Sequence, residues 1–70
     1  FPIAPEGLEE RLREMVALGL LAPVQLEVIL ETYLKGLTVT EWARRCGVKL
    51  STAKTHRARG IQAVQMHFGV

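Results

Sequence analysis

The sequence predicts an all-α fold, a compact domain of four helices, and three observations lead to this prediction. Apolar residues recur every three or four positions along much of the chain, which is the spacing of one buried helix face. No segment alternates apolar and polar residues for long enough to indicate a strand. At 70 residues and 49% apolar content, the chain is expected to form one domain with a small, mostly local core.

The first helix is predicted over about residues 6–18, after an extended arm of residues 1–5 in which two prolines block regular structure. Gly19 is placed to end this helix. The domain itself is expected to span residues 6–70. The apolar spacing predicts a buried helix face made of Leu8, Leu12, Met15 and Val16.

The second helix is predicted over about residues 23–35. Pro23 suits a first helical turn, where its missing N–H is not needed, and Gly36 can supply a left-handed residue at the other end. Val28 is expected near the edge of the buried stripe. The stripe itself is predicted to consist of Leu26, Ile29, Leu30, Tyr33 and Leu34.

The third helix is short and is predicted over about residues 39–46. Thr38 and Glu41 match the capping box, in which each side chain accepts a hydrogen bond from the other residue's backbone N–H. Gly47 breaks the chain after two turns. The side chains expected inside are Val39, Trp42, Ala43 and Cys46, the last as a small buried apolar group.

The fourth helix is predicted over about residues 50–67, opening at Lys49 or Ser51. Gly60 lies in its middle, where glycine costs about 1 kcal/mol relative to alanine, so another helix is expected to approach closely there. The inward-facing positions are predicted to be Ala53, Gly60, Ile61, Val64 and Phe68.

The third and fourth helices meet the packing requirements of a helix-turn-helix motif without winged elements. Ala43 and Ala53 are small enough for the helices to cross closely, Gly47 allows a positive φ in the turn, and Val48 can fill the space between the helices. Other helical proteins can match these four positions by chance, so the pattern is moderately specific.

Charge is distributed unevenly along the chain. Residues 1–35 carry six glutamates and three Lys or Arg residues, whereas residues 36–70 carry one glutamate and six Lys or Arg residues. The modest net charge of +2 therefore conceals a basic half that coincides with the helix-turn-helix motif. This distribution favours a polyanionic partner, although a small domain can also carry a basic patch by chance.

Residues from about Leu21 to Val64 also resemble two related families. They resemble the DNA-binding domain of LuxR-type regulators at Leu37-Thr38, Glu41, Ala43, Gly47, Val48 and Thr52-Ala53-Lys54-Thr55-His56. They resemble the fourth region of bacterial sigma factors at Tyr33-Leu34-Lys35-Gly36-Leu37, Arg59-Gly60 and Val64. The sequence departs from the LuxR-type pattern at Trp42, Lys49 and Arg59-Gly60.

The resemblance implies that the fourth helix enters the major groove of double-stranded DNA and reads base edges with its N-terminal half. The residues that would face the bases are Leu50, Ser51, Lys54, Thr55 and Ala58. The residues that would contact phosphates are Arg44, Lys49, Thr52, His56, Arg57 and Arg59.

The predicted function is sequence-specific DNA binding by a cytoplasmic transcriptional regulator acting as a homodimer. The predicted dimer seam consists of the apolar residues of the C-terminal tail, namely Val64, Met66, Phe68 and Val70. The alternative is that these residues complete the core of the monomer. Two alternatives remain open. One is a sigma-like promoter-recognition module that acts through RNA polymerase, and the other is a helical protein–protein interaction domain that uses its acidic first helix.

Other classes of function are not expected. The sequence offers no nucleophile–base pair and no glycine-rich phosphate loop, so an enzyme or a cofactor site is not predicted. The spacing of Cys46, His56 and His67 matches no usual zinc pattern. The single cysteine cannot form an internal disulfide, and no apolar run is long enough to span a membrane. The start at Phe1 is consistent with a piece of a longer protein.

Overall fold

The computed structural model describes residues 5–69, which fold into four α-helices. Their bounds are α1 Pro5–Ala17, α2 Pro23–Ile29, α3 Val39–Cys46 and α4 Leu50–Phe68. A π-helical segment, Leu30–Leu34, continues α2 without a break. No strand, and hence no wing, occurs between residues 5 and 69, so the all-α prediction is confirmed for this part of the chain. The predicted arm lies outside the described residues except for Pro5, which begins α1.

One hydrophobic core holds the helices together. On α1, Leu8, Leu12 and Met15 are buried and Val16 is half-buried, as the apolar spacing predicts. On α4, the prediction is also confirmed for Ala53, Gly60 and Val64, which are buried. The other buried core residues are Leu21, Val28, Ile29, Trp42 and Ala43.

The buried stripe predicted for the second helix is wrong at its C-terminal end. Tyr33 and Leu34 are 37% and 38% exposed, whereas Val28, expected near the edge, is fully buried. The prediction assumed α-helical spacing throughout, but the backbone N–H of Lys35 donates to the carbonyl oxygen of Leu30, five residues earlier, at 3.2 Å. Each π-helical turn holds an additional residue, so positions that an α-helix would bury turn toward solvent.

The turn between α3 and α4 forms as the sequence predicts. Gly47 has φ of 69°, in the left-handed region that favours glycine. The N–H of Val48 then donates to the carbonyl oxygen of Ala43 at 3.0 Å, which closes the turn. Ala43 and Ala53 are buried where the two helices cross, and Val48 is half-buried between them.

Cys46 is exposed, so the prediction that it is buried was wrong. It is the last residue of α3, and Gly47 leads the chain away immediately after it, so no further helical turn covers the side chain. Partial desolvation by its neighbours raises the pKa of the Cys46 thiol, and the carboxylates of Glu27 and Glu31 raise it further. The thiol is therefore protonated at neutral pH.

The helices α2 and α4 pack closely at Gly60, as its position in the middle of a helix predicts. A Cβ atom at Gly60 would lie 2.8 Å from Cδ1 of Ile29 and 3.1 Å from Cβ of Gln25. Ile29 is itself buried and has little room to move away. The absence of a side chain at residue 60 therefore sets how near α4 lies to α2.

Candidate nucleic-acid interface

The N-terminal half of α4 presents an exposed ridge on the side opposite the core. All five residues predicted to read bases are exposed: Leu50, Ser51, Lys54, Thr55 and Ala58. Ser51, Thr55 and Ala58 follow one another at intervals of four and three residues, so they share one face of the helix. The structure therefore brings these predicted residues together on one accessible surface.

Gln62 extends the same ridge and was not among the predicted base-reading residues. It is exposed and lies four residues after Ala58, on the same face of α4. The signal was present in the sequence as a continuation of that helical spacing. Its amide can donate and accept hydrogen bonds, which suits contact with adenine.

The hydroxyl of Thr55 is already oriented by the helix. Its Oγ1 donates to the carbonyl oxygen of Ser51 at 2.9 Å. Because this bond uses the hydroxyl proton, Thr55 presents oxygen lone pairs and a methyl group to an approaching ligand. A base amino group or a thymine methyl fits such a surface.

Among the described residues, the predicted phosphate-contacting side chains form no hydrogen bond to another helix, with one exception. Arg44, Lys49, Thr52 and Arg59 are exposed, and His56 is half-buried. A shallow surface depression of about 220 Å³ is lined by Ser51, Thr52, Thr55, His56 and Arg59. The depression thus combines hydroxyl groups with the guanidinium group of Arg59, and phosphate oxygens accept hydrogen bonds from both kinds of group.

Arg57 is the exception. It is half-buried, and its Nε donates to Oγ1 of Thr32 at 3.1 Å. Thr32 lies in the π-helical segment, and its own hydroxyl donates to the carbonyl oxygen of Val28 at 2.7 Å. The structure therefore places Arg57 against the continuation of α2 and not on the exposed ridge.

The helix α3 is fixed at its N-terminus by the predicted capping box. The backbone N–H of Thr38 donates to Oε1 of Glu41 at 3.0 Å, and the N–H of Glu41 donates to Oγ1 of Thr38 at 3.1 Å. These hydrogen bonds to Thr38, followed by the charges of Arg45 and Arg44, lower the pKa of the Glu41 carboxyl. The cap stabilises the first turn of α3, and α4 packs against this helix.

The two halves of the chain differ in whether their charged side chains form ion pairs. In the first half, Arg13 pairs with Glu9 at 2.8 Å and Lys35 pairs with Glu31 at 3.3 Å. Among the described residues, no carboxylate forms an ion pair with any cation of α3 or α4. The positive charge around the ridge is consequently available to an anionic partner.

Two further observations concern residues 5–69 as a whole. No helix in this range is long and apolar enough to cross a membrane. No group of three or more His, Cys, Asp or Glu side chains in the same range is arranged to hold a metal ion.

Comparison with known proteins agrees with this geometry. Residues 10–64 match the family model described as sigma-70, region 4. A search of curated proteins and a search of solved structures each found no match. The matched range covers most of the 70 residues and contains α3, the turn and α4 as far as residue 64, including the ridge. The chain therefore belongs to the sigma-70 region 4 family of helix-turn-helix DNA-binding domains.

Proposed function

We propose that this domain binds double-stranded DNA sequence-specifically, with the N-terminal half of α4 in the major groove, and that it recognises promoters together with RNA polymerase. The observation that carries the proposal is the exposed ridge of α4, whose flanking cations form no ion pairs within the described residues. Family membership supports promoter DNA and RNA polymerase as the two partners. The domain would act by binding alone, in the cytoplasm, without a cofactor or a catalytic step.

The base-reading and phosphate-contacting roles are divided by position on α4. Ser51, Thr55 and Ala58 would face base edges from the centre of the ridge, and Lys54 would reach guanine acceptors from its side. Lys49 and Arg59 would contact phosphates and set the register. The N-terminus of α4 supports this arrangement, because Lys49 at the N-cap position forms no side-chain capping bond and the first backbone N–H groups lack intrahelical acceptors.

The second candidate is a transcriptional regulator, LuxR-like in its DNA contacts, that binds as a homodimer. Met66 supports it, because this side chain is 79% exposed beside an apolar depression of about 320 Å³ lined by Leu20, Ala63, Met66 and His67. The rest of the predicted seam contributes less. Val64 is buried and Phe68 half-buried in the monomer core, and Val70 lies outside the described residues.

A binding selection from random duplexes at two salt concentrations tests the proposal. We expect one enriched sequence and an affinity that falls steeply with salt, since each phosphate contact adds about 0.9 to the slope of log affinity against log salt. Arg59→Gln should reduce that slope by about one contact, whereas Arg11→Gln, a matched loss of charge on α1, should leave it unchanged. No enrichment, or binding that ignores salt, would refute the proposal.

Two further measurements separate the candidates. If the domain recognises promoters with RNA polymerase, adding the core polymerase should tighten binding to the selected duplex while the free domain sediments as a monomer. A homodimeric regulator predicts two half-sites separated by about 34 Å and a dimeric mass that Met66→Glu converts to a monomer.

A further inference from the structure

One side-chain hydrogen bond joins α4 to the helix before the motif. Nε of Arg57 donates to Oγ1 of Thr32 at 3.1 Å, between residues 25 positions apart in the sequence. The hydrogen bonds of the α3 cap and of Thr55 span only three or four residues and stay within one helix or its cap. The Thr32–Arg57 bond therefore constrains the relation between two elements, which those local bonds cannot do.

This bond lies about one helical turn from the close contact of α2 and α4 at Gly60. Arg57 precedes Gly60 by three residues, and Thr32 follows Ile29 by three residues, so the two contacts are adjacent along the same helix pair. A single close contact can act as a pivot about which a helix rotates. Two adjacent contacts, one of packing and one of hydrogen bonding, also fix the angle between the helices.

Thr32 lies in the π-helical segment, and the hydrogen bonds of its hydroxyl group determine which role it has toward Arg57. Thr32 is the central residue of Leu30–Leu34, and its hydroxyl proton is donated to the carbonyl oxygen of Val28 at 2.7 Å. The oxygen can therefore act only as an acceptor, and Arg57 supplies the donor. In the same segment Tyr33 and Leu34 are exposed, whereas Thr32 is half-buried and contacts Arg57 of α4.

We propose that Thr32 is a positioning residue for the DNA-reading helix: by accepting the hydrogen bond from Arg57 it fixes the angle of α4, and Arg57 serves this contact instead of a phosphate. The inference rests on the proposed function, because the angle of α4 matters for binding only if α4 enters a groove. A helix held in its binding orientation loses less conformational freedom when it binds. The Thr32–Arg57 bond would thus raise DNA affinity without touching DNA.

The test compares variants of residues 32, 57 and 59 on the selected duplex. Thr32→Val removes the hydroxyl at constant shape and should weaken binding about fivefold. Thr32→Ser keeps the hydroxyl and should bind within about twofold of the unmodified domain. Thr40→Val, at an exposed threonine of α3, is the matched control and should leave the affinity unchanged.

Salt dependence distinguishes a positioning role from a phosphate contact. Arg57→Gln and Arg59→Gln remove the same charge from the same helix. Arg59→Gln should lower the salt slope by about 0.9, whereas Arg57→Gln and Thr32→Val should weaken binding at an unchanged slope. Urea unfolding of the free protein adds a double-mutant cycle, in which Thr32→Val and Arg57→Gln should be non-additive because they break one shared bond.

Every outcome of these measurements either supports or contradicts the positioning role of Thr32. Additive effects in the cycle, an unchanged affinity for Thr32→Val, or an equal fall in salt slope for Arg57→Gln and Arg59→Gln would each overturn the inference. If the unmodified domain binds no duplex, the proposed function itself fails, and the positioning role fails with it. If the unmodified domain binds and only the Thr32 and Arg57 results disagree, the proposed function stands and the positioning role does not.

Discussion

The two helices of the helix-turn-helix motif begin in opposite ways. The N-terminus of α3 is closed by the reciprocal hydrogen bonds of Thr38 and Glu41. The N-terminus of α4 follows Lys49, whose side chain forms no capping bond. Side chains of α3 therefore satisfy the backbone groups of their own helix, whereas the first N–H groups of α4 face solvent or a ligand.

Burial follows the same division. Trp42 and Ala43 on α3 are buried in the core, whereas residues 50–55 at the start of α4 are exposed except for Ala53. The comparison indicates that α3 is built for support and the start of α4 for contact. Substitutions in α3 should therefore act mainly on stability, and substitutions at the start of α4 should act mainly on DNA binding.

The largest expected effect is the loss of stability on changing Trp42, which is only 2% exposed. Trp42→Ala should lower the free energy of unfolding by about 3–5 kcal/mol, enough to unfold much of a domain this small. Trp42→Phe should cost far less, because Nε1 of Trp42 forms no hydrogen bond to the described residues and its loss leaves no partner unpaired. Urea unfolding followed by circular dichroism measures both, and equal losses would contradict a packing role.

The next largest effect concerns binding at Lys54. Lys54→Ala should weaken binding to the selected duplex by about 1–3 kcal/mol, with a smaller loss on random duplexes. Its stability should change by less than about 0.5 kcal/mol, because the residue is exposed. Lys54→Arg is the control that keeps a guanine-binding donor. Equal losses on both kinds of duplex would make Lys54 a phosphate contact and not a base reader.

Two variants reverse the difference in capping between the N-termini of α3 and α4: Thr38→Ala removes the side-chain cap of α3, and Lys49→Ser introduces one at α4. Thr38→Ala should destabilise the domain by about 1 kcal/mol, and Lys49→Ser should stabilise it by a similar amount. Lys49→Ser should nevertheless weaken DNA binding, since it removes a cation and gives the free N–H groups a partner within the helix. Thermal unfolding and titration of duplex at fixed salt measure the two effects. Tighter binding by Lys49→Ser would refute the proposed role of this helix end.

The smallest expected effect is a pH dependence that arises at Glu41. The pKa of its carboxyl is lowered in the folded protein, so folding favours the ionised form. The resulting stability is present above the carboxyl's ordinary pKa and is lost as pH falls through the lowered value. Glu41→Gln can still accept the hydrogen bond from Thr38 but does not titrate. Thermal unfolding at acidic and neutral pH should show a steeper loss for the unmodified protein than for Glu41→Gln.

Short-range patterns in the sequence were sufficient to predict the helix-turn-helix motif and the cap that stabilises its first helix. Thr38, Glu41 and Gly47 act within three or four residues of their partners, so their roles follow from short spacings. The close helix packing at Gly60 could be predicted for a similar reason. A glycine inside a helix lowers stability, so its presence there indicates that a neighbouring helix lies close. The base-facing residues of the exposed ridge were predicted from the resemblance to known DNA-binding families.

The errors came from changes in geometry that spacing cannot show. Tyr33 and Leu34 were predicted to be buried because their spacing suits an α-helix, and nothing local in the sequence signals a π-helical turn. Cys46 has the correct spacing from Trp42 but lies at the end of α3, where nothing covers it. The Thr32–Arg57 bond joins residues 25 positions apart, and only the folded arrangement of α2 and α4 shows it.

The ridge on α4 also bears on how binding specificity could be altered. The residues that pack α4 into the domain, Ala53, Gly60 and Val64, are separate from Ser51, Thr55 and Ala58, which project outward. Substitutions on the outer face therefore leave the core contacts intact. Under the proposed function, new DNA target sequences could be selected from a library randomised at those outward positions, without the losses of stability that usually limit such libraries.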